Sequence, residues 1–377
     1  MKPVTPPATL GILGGGQLGR YFVVAARAMG YGTVVLEPDP NAPAGRVADE
    51  HIVAAFDDEA ALRHLASRCA VVTIEFENPP ASAMELLGKH TLIHPAAAVV
   101  AIAQDRRTEK AFLRDAGVPV APFLVIETDE HAGSAVTHFD FPAILKTARM
   151  GYDGKGQIVV ASADELLAAW HRLARQPCVL EQRLPLDSEV SVVLARSANG
   201  ATAAYPTVHN THIDGILDCT VVPHRSTGAT EPAIELAMLI AESLDYVGVL
   251  AVEMFVVGDR LLVNELAPRP HNSGHWTLDA ARTSQFEQQV RAVCGVGLGD
   301  TSPTAAGAAM VNLLGDLWSD GEPDWSVALA DPDASLHLYG KTAARPGRKM
   351  GHITVTAANP AEAERRARAL RAGLTAR

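Results

Sequence analysis

Apolar runs bounded by turn residues recur through the N-terminal part of the chain, at residues 9–13, 33–36, 51–54 and 70–76, each the length of a buried strand. Between them, residues 17–29, 59–67 and 81–87 carry apolar side chains at helical spacing. This alternation predicts a doubly wound α/β domain over residues 1–105. A charged amphipathic helix over 105–116, stopped by Gly117 and Pro119, leads out of it. The pattern then changes. Short strands at 143–146, 157–160 and 178–182 surround a glycine loop and a helix over 163–174, which suggests a small lobe over 106–180. Runs at 188–195, 202–208, 249–257 and 260–264 suggest a larger antiparallel sheet in a lobe over 181–300. A Gly/Ser/Thr/Pro/Ala-rich connection at 299–307 precedes a small β-rich unit over 301–377, with strands at 310–314, 336–339 and 352–356 and an Ala/Arg-rich helix from 361 to 377. The expected fold class is α/β plus α+β.

The length of 377 residues exceeds what one hydrophobic core usually organises, in keeping with several domains. A net charge of -11 opposes binding to nucleic acid. The four cysteines form no CxxC pair, and no apolar run reaches membrane-spanning length, so a cytoplasmic protein without a membrane partner is expected.

Three groups of residues carry candidate chemistry. Gly14, Gly16 and Gly19 match G-x-G-x-x-G between a strand and a helix, with Glu37 near the end of the second strand. The loop can hold a dinucleotide or another phosphate, and a hydride-transfer enzyme stays open on it alone. Secondly, Lys146 ends an apolar strand, and Gly151, Tyr152, Asp153, Gly154, Lys155, Gly156 and Gln157 follow as a glycine-rich loop with a second cation, a composition suited to polyphosphate. The strand around Glu181, Gln182, Arg183 and Leu184 can run beside an adenine ring, and Glu189 offers a carboxylate for ribose hydroxyls. Thirdly, Glu253 and Glu265 lie on apolar strands joined by Gly258-Asp259, and on a hairpin both would face one side as a Mg²⁺ site. Arg269, His271 and Asn272 follow in a proline-rich segment suited to a small planar oxyanion such as bicarbonate.

An ordered set of motifs extends over nearly the whole chain: GGGQLGR at 14–20, TIEFEN at 73–78, QDR at 104–106, GYDGKGQ at 151–157, NELAPRPHNSGHWT from Asn264, SQFE at 284–287 and RPGRKMGH at 345–352. In these the chain resembles the ATP-grasp enzymes, and among them the 5-(carboxyamino)imidazole ribonucleotide synthases of purine biosynthesis. The resemblance implies an ATP-grasp fold with a pre-ATP-grasp first domain, and a homodimer. It implies ATP on Arg106, Lys146, the loop 151–157, residues 181–184, Glu189, His212 and Asn264, with Mg²⁺ (or Mn²⁺) on Glu253 and Glu265. It places the ribonucleotide phosphate on Lys341 and Arg348, with Gln17 and Leu18 assisting, and the base near Glu75, Tyr152 and Asp153, with Glu77 and Arg269 also counted among the substrate-binding residues. Lys146, Asp153, Arg269, His271 and Asn272 would then serve catalysis, with Asp153 handling the amine proton. The implied activity is ATP- and bicarbonate-dependent carboxylation of aminoimidazole ribonucleotide. Its nearest rivals are a formate-using purine enzyme and a dipeptide-type ligase.

Overall fold

The computed structural model describes residues 2–151, 154–224 and 227–374. Among these residues the strands form three sheets. The first is wholly parallel, in the order β3-β2-β1-β4-β5, and comprises β1 (Thr9–Leu13), β2 (Gly32–Leu36), β3 (Glu50–Ile52), β4 (Val71–Ile74) and β5 (Leu92–Ile93). Strands covered on both faces must be apolar throughout, and β1, β2 and β4 are buried along almost their whole length. The second sheet is antiparallel, in the order β6-β9-β7-β8, from β6 (Phe123–Ile126), β7 (Ala143–Thr147), β8 (Gln157–Val160) and β9 (Cys178–Gln182).

The third sheet takes every later strand. These are β10 (Ser188–Arg196), β11 (Thr202–Ala204), β12 (Val208–Ile213), β13 (Ile216–Val222), β14 (Gly248–Val257), β15 (Arg260–Ala267), β16 (Gly307–Leu314), β17 (Ala334–Leu338) and β18 (Lys349–Ala357). Their order is β15-β14-β10-β12-β13-β16-β18-β17, with β11 beside β10. The run expected at 202–208 divides at Tyr205-Pro206 into β11 and the start of β12. The C-terminal strands do not build a sheet of their own, because β16 pairs with β13 and carries the ladder onward.

Helix ends follow local capping chemistry. Asp58 and Asp105 accept backbone N–H bonds at the starts of Glu59–Arg68 and Arg106–Asp115, and Asn359 does so for Pro360–Ala372. The helix Gln285–Val293 locks the first domain to the large sheet. Its Val290 and Val293 pack with Leu10, Ile12 and Phe22, while Gln289 donates to Thr73 Oγ1 at 2.7 Å. A second joint is aromatic: Tyr21 of the helix Gln17–Ala28 meets His275, Phe286, His337, Tyr339 and His352. All four cysteines are free and buried. No helix among the described residues is long and apolar enough to cross a membrane.

Candidate active site

The two-residue turn Gly258-Asp259 pairs β14 with β15 as far as Met254 and Val263, and a β-bulge then carries the register past Asn264, so that Glu253 stands directly opposite Glu265 and both carboxylates share one face. Arg106 Nη1 reaches Glu265 Oε2 at 2.9 Å, and His271 Nε2 lies 3.2 Å from Glu253 Oε1. Burial, and after it the charge of Glu265, pushes the Glu253 carboxyl above its ordinary range. Burial acts the same way on Glu265, but Arg106 outweighs it and holds that carboxyl low. Two desolvated carboxylates that repel one another, on hard oxygen donors, form a set suited to a divalent cation.

Opposite them, Lys146, next to last in β7, has its Nζ 2.9 Å from Glu181 Oε2 and 3.4 Å from Asn264 Oδ1. Glu181 is fully enclosed; burial alone would raise its pKa, yet Lys146 and Lys110 bring it down to about 2. The glycine loop leaves Lys146 and returns as β8. Gly154 and Gly156 have φ of +76° and +73°, and a Cβ on Gly156 would lie 2.5 Å from Thr147 Oγ1. Gly154 packs on the Asp214 carbonyl at the tip of the β12–β13 hairpin, so the loop bridges the second and third sheets. Tyr152 and Asp153 lie outside the described residues.

A cavity of about 1300 Å³ runs past all of these groups, lined by Arg106, Lys146, Gly151, Gly154, Lys155, Gly156, Gln157, Arg183, Glu189, His212, Glu253, Asn264 and Glu265. His212 Nδ1 sits 2.7 Å from Glu189 Oε2; burial would lower its pKa, but the Glu189 carboxylate prevails and raises it. Gln17, Leu18, Glu75, Glu77, Arg269, His271, Asn272, Lys341 and Arg348 line the same cavity. Glu181, Gln182 and Leu184 do not reach its wall. Arg269 is ion-paired with Glu77 of the first domain, and its Nε has no partner among the described residues. The buried Asn272 amide also has neither its oxygen nor its nitrogen engaged. These orphaned donors and the acceptor point to a small polar ligand. Lys341 donates to the Lys349 carbonyl at 2.7 Å, and Arg348 to that of Ala343 at 2.9 Å.

The first glycine loop differs from expectation. Its amides are already satisfied by the protein's own carboxylates: Gly15 N–H donates to Glu37 Oε2 at 2.9 Å, Gly16 to Glu75 Oε1 at 2.5 Å and Gly19 to Glu75 Oε2 at 2.6 Å. Glu37, the would-be ribose ligand of a dinucleotide, therefore caps the loop. Gln17 and Leu18, between these capped glycines, line the cavity.

Three family models match in chain order: the ribonucleotide synthetase preATP-grasp domain over 7–104, the ATP-grasp domain over 111–286 and the phosphoribosylaminoimidazole carboxylase C-terminal domain over 308–366. The N5-carboxyaminoimidazole ribonucleotide synthase of Bacillus subtilis is 44% identical over 93% of this chain and 92% of its own. The Brucella melitensis enzyme of the same name is 46% identical over 93% and 96%. The chain belongs to the N5-carboxyaminoimidazole ribonucleotide synthases. Among solved members of the family, an ADP complex superposes with a TM-score of 0.92 at 40% identity, covering 98% of both chains. An Aspergillus clavatus synthase, solved with ADP and 5-aminoimidazole ribonucleotide, superposes at 0.88 with 32% identity over 96% of this chain and 97% of that one.

The sequence reading overlooked several members of the site. Ile144, Val159, Leu186, Phe255 and Leu266 give the cavity an apolar stretch suited to a planar base, and Glu109 and Lys349 add charge. Ile144, Val159 and Phe255 belong to strand runs, where periodicity marks an apolar side chain as core without saying that it faces a cavity. A cluster of Asp279, His337 and His352 has metal-ligand composition. Its rings argue against an ion: His337 and His352 stack at 4.5 Å with planes 15° apart, so their in-plane lone pairs cannot converge on one point. The cluster instead pins β17 and β18 to Asp279 through the His337 Nε2 contact at 3.0 Å.

Proposed function

We propose that this chain couples ATP cleavage to carboxylation of the exocyclic amine of 5-aminoimidazole ribonucleotide, with bicarbonate as the carbon source, as a cytoplasmic homodimer. One observation carries the reading: a single cavity encloses both the Lys146, Glu253 and Glu265 group and the Lys341 and Arg348 group, with the orphaned Asn272 amide and Arg269 Nε in the same enclosure. An ATP site and an anion site joined by unfilled polar groups suit two phosphorylated substrates and a small oxyanion.

A bicarbonate oxygen attacks the γ-phosphorus, the bond to ADP breaks, and carboxyphosphate forms. Lys146, Lys155 and the backbone amides of loop 151–157 stabilise the charge spread over the transferring phosphoryl group. Glu253 and Glu265 would hold Mg²⁺ or Mn²⁺, which when bound neutralises phosphate charge. Arg269 and Asn272 orient bicarbonate, and His271, kept neutral by burial and by the neighbouring Arg269 charge, donates or accepts without adding a charge. The amine then attacks the carboxyl carbon, or CO₂ released from carboxyphosphate, and phosphate departs. We assign the amine proton to Asp153. The glycine loop, seated on the Asp214 carbonyl, shields the labile intermediate from water.

The test is ADP release by purified enzyme with each substrate omitted in turn. Release requiring both bicarbonate and the ribonucleotide supports the reading; release with formate or an amino acid instead would assign the chain to one of the rival ligases. Sedimentation at equilibrium tests the dimer.

A further inference from the structure

The helix Arg106–Asp115 presents Arg106, Glu109 and Lys110 toward β9 and β15. Lys110 has 0% exposure, which is rare for an ammonium and tolerated only with close partners. Its Nζ donates to the Asn264 carbonyl at 2.8 Å and stands 3.6 Å from Glu181 Oε1. The other oxygen of Glu181 takes Lys146. Glu109 accepts from the Leu266 amide at 2.7 Å. One helical turn therefore grips β15 on both sides of Glu265 and shares a carboxylate with the lysine assigned to the phosphates.

That sharing has an electrostatic consequence. A lysine paired alone with a carboxylate loses most of its field toward a ligand, whereas two ammoniums on one carboxylate leave a surplus positive charge. Lys110 is sealed inside and cannot touch a ligand, so the surplus is expressed through Lys146, whose side chain is 10% exposed at the cavity wall. We propose that Lys110 is a positioning residue for ATP: by sharing Glu181 with Lys146 and holding the Asn264 carbonyl, it leaves the Lys146 charge available to the phosphates and sets β15 against β9. This rests on the reading that Lys146 serves ATP.

The experiment measures Mg-ADP affinity by calorimetry and substrate KM values for Lys110→Met, Lys110→Arg, Lys146→Met and the double variant Lys110→Gln/Glu181→Gln. Lys110→Met is expected to weaken Mg-ADP and raise the KM for ATP by about tenfold or more while the ribonucleotide KM stays within about twofold. Lys110→Arg, which keeps the charge, recovers part of the loss. Loss of ATP and ribonucleotide affinity together, or no loss of Mg-ADP affinity, would overturn the proposal. If Lys110→Met does not fold, the neutral double variant decides: with Lys146 released from its carboxylate it binds Mg-ADP at least about tenfold more tightly than Lys146→Met, and equal affinities would refute the proposal. Calorimetry does not depend on turnover. A wild type that binds Mg-ADP but fails to carboxylate would sink the proposed reaction and leave this test standing.

Discussion

Glu253 and Glu265 face each other across one pair of strands, and their charges repel until a cation or Arg106 intervenes. Replacing Glu265 with Gln removes a proposed metal ligand while keeping the side-chain volume; ADP formation should fall by about a thousandfold or more, with circular dichroism unchanged. Lys146→Met should lower kcat and raise the KM for ATP, each measured by coupled ADP assay. Lys341→Ala removes a proposed phosphate partner from the other end, so the ribonucleotide KM should rise about tenfold or more while Mg-ADP affinity is unchanged. At this scale the two carboxylates were legible as neighbours on one hairpin, whereas the β-bulge that carries the register past Asn264 and sets them face to face was not. Lys110 and Glu109 were not, because a charged helix reads as a solvated face until tertiary packing seals it. The anion on the first glycine loop was equally hidden, since nothing local says that Glu75 folds back onto the amides of Gly16 and Gly19.

Elements rich in apolar alternation were readable, among them β1, β2, β4, β7, β9, β14 and the helices Gln17–Ala28, Glu59–Arg68, Ala81–Gly88, Arg106–Asp115 and Ala163–Arg172. Others carried no such signal. β12 has the sequence VHNTHI, polar at four of six positions, and its buried Asn210 is bonded to Ser191 and Thr220. The helix Asp129–His138 contains a glycine and little apolar stripe, and Thr227–Ser243 carries Pro232 inside it. The union of β16 with β13 is a long-range pairing that no local pattern encodes. The glycine-rich loop between β7 and β8 was legible as a loop, and the structure adds why its glycines matter. Gly156→Ala puts a methyl 2.5 Å from Thr147 Oγ1 at a φ of +73°, so the loop must shift. The expected cost is about 1–2 kcal/mol for the strained backbone alone, read as a lower Tm together with a higher KM for ATP.

Across the whole molecule, the cavity exists only because the first domain, both ATP-grasp lobes and the C-terminal strands are held together. The imidazole stack at their joint makes this holding sensitive to acid. Burial keeps His275 and His352 well below the ordinary histidine value of 6.5. The unfolded chain therefore binds more protons just below that value, and each such group weakens the fold as pH drops through the window, by up to about 1.4 kcal/mol per unit. His352→Gln should accordingly show a shallower fall in Tm between about pH 7.5 and 5.5 than the wild type; parallel slopes would mean that His352 contributes nothing. The central claim is that one enclosure couples ATP to the ribonucleotide through bicarbonate. Its most direct measurement follows ¹⁴C from bicarbonate into the ribonucleotide alongside ADP release: equal amounts of both, each dependent on all three substrates, are the predicted result. ADP release without labelled product, or labelling without ATP, would contradict it.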